Sequence, residues 1–360
     1  MADGMNIVPT ARPTVRLDGQ ELPLLSANIL RFRMREAMGG LSSCELTLAD
    51  VLSFSGGGGG YGVTRGSPIK LGGQLAIYAG ATDSPQEVFS GQITALEAEA
   101  GTGNTALFTL IAEDKLFAAR RKRRSRLFEQ SSPADIISAI AKDHGLTPQI
   151  RDGLDKPVAD WAQMNESDLA FARRVLACVD ADLQLVGDKL QAGPVADEPR
   201  ATVMLVLKET LLRARVTADL ADQATAVRVA SYDPATGLAV SAEMDTGRLG
   251  PGVGDKGPEK LRGLIQQVRE HVGHHGPMTL DEVEAMAKAE YGRRARRFVR
   301  MDATAQGDPA IRVGTQVTVS GVNPFFENDY TVIEAIHRYD RAMGYQTDFI
   351  AEGAFLGVPA

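Results

Sequence analysis

From Thr14 to about Leu116, apolar and polar residues alternate with the two-residue period of β-strands. Leu30, Phe32 and Met34 alternate with arginines, and Cys44, Leu46 and Leu48 alternate with polar neighbours. An Asp-Gly pair at 18–19 separates two short runs, as a tight hairpin turn does. The stretches "IKLGGQLAIYAG", "EVFSGQITALEAEA" and "TALFTLIAED" continue the pattern. Together they predict an antiparallel sheet that curls, as in a barrel or sandwich.

At Ser132 the period lengthens. Ser132 is placed to cap a helix with Pro133 at its first position. Ile136, Ile137, Ile140 and Ala141 make one apolar face, and Gly145 ends it. In "QMNESDLAFARRVLACVDADLQLVGDKLQAG", Asn165 is the expected cap, with Asp168 three residues on. Leu169, Ala172, Leu176 and Val179 recur at helical spacing, and a short strand follows. This middle section reads as a small α/β unit. From about Ala201 strands return at "ATVMLVLK", "LLRARVTAD", "ATAVRVASYD" and "GLAVSAEMD". Residues 246–258 are rich in Gly and Pro, and "TLDEVEAMAKAEYGRRARRF" reads as a helix with Thr279 and Glu282 as its capping box.

Residues 69–77, "IKLGGQLAI", match residues 311–319, "IRVGTQVTV", class for class. As strands, Ile69, Leu71, Leu75 and Ile77 share one face, as do Ile311, Val313, Val317 and Val319. Gly72 and Gly314 would then sit at a bulge or sharp coil. The match continues outward. Ile93, Ala95 and Leu96 align with Ile333, Ala335 and Ile336, and Ile111, Ala112 and Glu113 with Ile350, Ala351 and Glu352. An ordered match over three strands indicates an internal duplication. The expected fold is mainly β (α+β), with two duplicated antiparallel β-barrel domains. The first spans 1–126, the α/β connector 127–200, and the second 201–360 with a loop and helix insertion at about 246–298.

A chain of 360 residues, 44% apolar and 24% charged, can bury more than one core. Its net charge of −7 argues against a dedicated nucleic-acid binder. No apolar run approaches the roughly 20 residues of a membrane span, and the N-terminal residues show no signal-peptide h-region. The two cysteines, Cys44 and Cys178, sit in apolar strand and helix patterns and read as inert core thiols made in a reducing cytoplasm.

The candidates for chemistry are few. "RRKRRSR", Arg120 to Arg126, could bind phosphates, but it has no aromatic platform and reads as a solvated or salt-bridged segment. "RRARRFVR", Arg293 to Arg300, suits a helix C-terminus. His271, His274 and His275 would share a helix face, but Gly273 and Gly276–Pro277 argue against the helix, and no HExxH pattern is present. Gly56 to Gly62 trivially contain GxGxxG, without the Lys-Ser/Thr of a phosphate loop. GxSxG is absent and no carboxylate pair stands out. No catalytic, cofactor-binding or metal residue is therefore assigned, no cofactor is expected, and the chain is read as a non-enzyme.

Three stretches together resemble the hub family of contractile tails: the late control protein D of temperate myophages, the T-even baseplate hub and the N-terminal part of VgrG proteins. They are "SPADIISAIAKDHGL", "QMNESDLAFARRVLACVDADLQLVGDKL" and "GDPAIRVGTQVTVSGV…NDYTVIEAIHRYDRAMGYQTDF". The resemblance covers roughly residues 14–355. It implies two tail-tube-like barrels per chain and a homotrimer of pseudo-sixfold symmetry that adapts a hexameric tail tube to a trimeric spike. The implied partners are a separate spike protein, a tube or tube-initiator protein, baseplate wedge proteins and a tape measure protein. A spike on a separate polypeptide is expected because no spike domain follows "FIAEGAFLGVPA". Assembly in the bacterial cytoplasm, into a virion tail or injection particle, is the expected location. Two other readings stand beside it: a tail-tip cell-wall hydrolase anchored on the histidines, and a DNA-binding tail protein using Arg120 to Arg126.

Overall fold

The computed structural model describes residues 12–358, apart from 51, 54–58, 61, 64–66, 82, 102–105 and 274–275. The Gly56 to Gly62 segment falls largely outside the described residues. Most of the chain is β, built around two copies of a six-stranded unit. The first copy comprises β1 (Thr14–Leu17), β2 (Ile29–Ala37), β3 (Ser43–Ala49), β4 (Gln74–Ala79), β5 (Gln86–Glu99) and β6 (Leu107–Glu113). The second comprises β7 (Thr202–Val206), β8 (Leu211–Ala218), β9 (Val299–Gln306), β10 (Gln316–Ser320), β11 (Asn328–Asp340) and β12 (Gly344–Gly353). Spatial order is β1-β4-β5-β6-β3-β2 in one and β7-β10-β11-β12-β9-β8 in the other. Each strand thus has its counterpart six places on.

The duplication reaches the irregularities. A bulge interrupts β2 between Ile29 and Arg31, and another interrupts β8 between Leu211 and Arg213. Bulges also fall between Ile93 and Ala95 in β5 and between Val332 and Glu334 in β11. The bulge in β2 turns Ile29 into the core and leaves Leu30 half-buried, against simple alternation. In the middle strand, Ile93 corresponds to Val332, because Gly72 N donates to the Ile93 carbonyl as Gly314 N donates to that of Val332. The alignment of Ile93 with Ile333 is therefore one residue out. Two residues oppose one at a bulge, and sequence similarity alone picked the wrong member.

The nine-residue phrase is a turn followed by a strand, not one strand. Strand structure begins only at Gln74 and Gln316. Before it, Gly73 N donates to the Lys70 carbonyl and Thr315 N to that of Arg312, closing equivalent four-residue turns. Gly72 and Gly314 occupy the third position with φ of +80° and +82°, which the turn demands and a side chain resists. Leu71 in the first turn is exposed, whereas Val313 at the same place in the second is buried, and Leu75, Ile77, Val317 and Val319 enter the cores.

The copies differ at their first strand: β1 pairs antiparallel with β4, but β7 pairs parallel with β10. The expected sheet was antiparallel throughout. The second unit's insertion is also larger than expected. Ala226–Tyr232 and Ala239–Met244 leave the unit and form a separate sheet with Arg269–Val272. Val227 and Val229 pack beneath helix Leu280–Arg296, in a core shared with the connector's helices Pro133–Asp143 and Asp168–Ala177. Alternation identified these segments as strands but could not name their neighbours. Ser132 caps its helix, with Asp135 completing a capping box, and the box of Thr279 with Glu282 forms. The second connector helix is capped by Ser167, not Asn165, which lies in the preceding strand.

Three cores result, one per unit and one for the connector with the insertion. At Gly314 an added Cβ meets only open space and the Arg200 stem, so backbone strain alone sets its cost. Gly314→Ala is expected to destabilise the fold by about 1–2 kcal/mol in urea unfolding. Gly314→Asn, which tolerates positive φ, should cost less. Equal midpoints for all three proteins would refute the turn assignment.

Candidate functional site

The site built most deliberately is the joint between the two units. Beyond its bulge, β11 pairs with β12 on one side and with β2 on the other. Register runs from Glu334 opposite Ala37 to Asp340 opposite Arg31, making one continuous sheet of both copies. Phe32 stacks on Tyr339 with ring centroids 6.3 Å apart, and Arg35 Nε donates to Glu334 Oε1 at 2.8 Å. His337 is fully buried here, its Nδ1 2.7 Å from the Tyr345 hydroxyl.

At the end of β2, the Glu36 carboxylate is 1% exposed. Its Oε1 accepts from Arg200 Nη1 at 3.0 Å and from Val313 N at 2.8 Å. Its Oε2 accepts from Arg312 Nε at 2.8 Å and from Arg312 Nη2. Arg312 also donates to the Val88 carbonyl in β5, so one guanidinium of the second unit grips the first at two points. Burial by itself would raise the Glu36 pKa, but the charges of Arg312 and Arg200 outweigh it and hold the carboxyl below its ordinary range. The counterpart of Arg312 in the first copy of the phrase is Lys70, which among the described residues pairs with Asp18 in solvent, at 3.1 Å.

The connector is fastened to the same region. Arg173 donates to the carbonyls of Gly39 and Gly40 in the β2–β3 turn, at 2.6 and 3.0 Å. Arg296 and Asp180 form a buried pair that ties the insertion's long helix to the connector. A cleft beside the joint is lined by Arg151, Asp182, Arg200 and Arg248, and no Ser, Cys or His lines it among the described residues.

The sequence candidates are dispersed. Arg120 pairs with Glu113, while Arg124 and Arg126 both reach Asp143 and the fully buried Asp168, which also meets His144 Nε2 at 2.8 Å. Half of the basic run is thus spent on internal ion pairs. Arg293 and Arg294 pair with Glu290 one turn back. His271 lies exposed on a strand, not a helix, and His274 and His275 lie outside the described residues. Among the described residues, no cluster of three or more His, Cys, Asp or Glu is spaced to hold a metal. Burial pushes the Cys178 thiol up to about 11 and the Cys44 thiol up further, away from reactivity.

Sequence reasoning missed Glu36, although a signal was present. Phe32, Met34 and Glu36 share one strand face, so a carboxylate stands where the alternation calls for an apolar side chain. Removing it leaves two buried guanidinia unpaired, so Glu36→Ala is expected to cost about 3–5 kcal/mol in denaturant unfolding. The lowered pKa means that this stabilisation is present above the unfolded glutamate value of 4.5 and lost as pH falls below it. The stability gap between wild type and Glu36→Gln should therefore shrink between pH 6 and pH 3. A gap of constant size would exclude the ion pairs as its source.

A comparison with curated proteins returns no sequence match. Solved structures do share the fold. The 43 kDa tail protein of prophage MuSo2 from Shewanella oneidensis superposes with a TM-score of 0.70 at 13% identity, covering 95% of this chain and 98% of its own. A tail protein from Neisseria meningitidis MC58 gives 0.68 at 12% identity, covering 97% and 98%. A component of the E. coli type VI secretion system, itself described as structurally similar to T4 tail proteins, gives 0.57 at 12% identity, covering 92% and 76%. The fold is that of phage tail proteins, with no transmembrane helix among the described residues. By sequence, the family model described as the Alg8 N-terminal domain matches residues 8–340, and the chain belongs to that family.

Proposed function

We propose that this chain is a structural baseplate hub of a contractile tail or related injection system, acting as a homotrimer that adapts a hexameric tube to a trimeric spike. One observation carries the reading: a single chain holds two copies of one sheet unit, sharing strand order and two bulges, joined edge to edge. Three such chains supply six near-equivalent units, the number a hexameric tube face presents. The shared fold with tail proteins supports the same reading. On this proposal the spike, tube and wedge partners meet extended protein surfaces, and the chain performs no catalysis.

The hydrolase and DNA-binding readings draw less support from the structure. The former was anchored on three imidazoles of one helix face, and His271 lies exposed on a strand. The latter needed a free basic run, and Arg120, Arg124 and Arg126 are paired.

The test is the mass of the assembled species, by native mass spectrometry or light scattering. A trimer is expected, alone or on addition of tube and spike proteins. A chain that stays monomeric with both partners present overturns the reading.

A further inference from the structure

The joint between β2 and β11 occurs once in the chain, yet each strand has a duplicate. The duplicate of β2 is β8, and the duplicate of the outer half of β11 is the segment Ala95–Glu99 of β5. Among the described residues, both have an open edge. β8 pairs with β9 and terminates the sheet, its other edge engaged only by a single bridge from Leu207 to Leu211. β4 leaves β5 at Gln92, and the last turn contact is at Ile93, so Ala95–Glu99 pair only with β6. In β11 the equivalent residues Ala335 and His337 are fully buried, whereas Leu96 and Ala98 are exposed. An open edge with exposed apolar side chains is a template for another strand.

We propose that the β8 edge of one copy of this chain pairs antiparallel with the Ala95–Glu99 edge of a second copy, in the register of the internal joint. The proposal rests on the trimeric-hub reading and names its subunit interface. The register follows from equivalences already established. Met34 corresponds to Val216 through the β2–β3 and β8–β9 pairings, and His337 to Ala98 through β11–β12 and β5–β6. Met34 lies opposite His337, so Val216 should lie opposite Ala98. Leu96 then faces Ala218, Glu97 faces Thr217 and Glu99 faces Arg215.

That register pairs small apolar residues with each other and sets opposite charges together. Glu99 lies directly across from Arg215 and Glu97 diagonally, within reach of a cross-strand ion pair. Arg213 stands two residues along on the same face. Glu97, Glu99, Arg213 and Arg215 have no ion-pair partner among the described residues, whereas Arg35 and Glu334 at the internal joint pair with each other. The acids lie all on one edge and the arginines all on the other, so a copy complements its neighbour and not itself. This is a head-to-tail interface, which forms a ring where its rotation closes.

The two joints differ in strength by construction of the sequence. Where the internal joint has Phe32, the new one has Ala214. Where the internal joint has the buried Glu36, the new one has Ala218, and Lys70 replaces Arg312. The subunit joint therefore relies on ladder hydrogen bonds and rim charges, and it should weaken as salt screens them.

Two measurements test this on the full chain. Arg213→Glu with Arg215→Glu should lower the trimer population at fixed concentration at least tenfold, and adding Glu97→Arg with Glu99→Arg should restore it. Melting curves check that each variant folds. Separately, Ala98→Cys with Val216→Cys should give disulfide-linked dimers and trimers on a non-reducing gel, and neither single variant should. If wild type is trimeric but charge reversal is silent and no crosslink forms, this edge pairing is overturned and the trimer stands. If wild type stays monomeric with tube and spike proteins, both fall.

Discussion

Two sheets can be joined edge to edge only if the strands at the seam stay in register. The hydrogen-bond ladder between β2 and β11 supplies direction but tolerates slippage by two residues, since side chains then keep their faces. Glu36 removes that freedom. Its carboxylate is buried, and burial is tolerable only with Arg312, Arg200 and the Val313 amide all in place. A slipped seam would bury an unpaired charge. The ion cluster thus specifies one arrangement more than it adds stability, a role for which buried polar groups are suited. The connector depends on the same seam, because Arg173 binds the turn that immediately follows β2.

The duplicated unit shows which features a curled sheet needs and which are free to vary. Both copies keep two bulges, a left-handed glycine before the fourth strand and alternating apolar residues in the last strand. These set curvature and closure of each core. What differs is peripheral to the unit itself: the direction of the first strand, the insertion between the second and third strands, and the residues at the seam. Identity between copies is low because a β-core asks only for apolar volume at alternate positions.

Local features were legible in the sequence because their causes are local. A cap is a contact across three residues, and Ser132 caps its helix and Thr279 forms its box with Glu282 as written. Strand character was likewise visible, and so was the repeat. Pairing was not. Arg35 and Glu334 are 299 residues apart, and nothing in either stretch names the other. For the same reason Ala226–Tyr232 looked like a strand of the second unit and belongs to a different sheet. The bulges were invisible because one extra residue in a two-residue period looks like an ordinary substitution. The shift at Ile93 and the inward turn of Ile29 both follow from it. Glu36 was readable in principle, as the polar exception on an apolar face, but its partners lay 164 and 276 residues on.

A ring of six identical chains would have six identical seams. Fusing two units into one chain makes alternate seams different, and the sequence uses that freedom. The internal seam has an aromatic stack and a buried ion cluster, so it forms once, with folding, and stays closed. The counterpart edges have small residues and solvent-facing charges of opposite sign on opposite strands, so on our proposal they associate only between folded subunits. On that proposal the chain folds first as a monomer, its open edges masked by charge as edge strands commonly are. Assembly then depends on concentration and on a surface that brings three chains together. Duplication followed by divergence at the seam would in this way separate folding from assembly, with the repeat supplying the geometry and Glu36, present in only one copy, making one seam permanent.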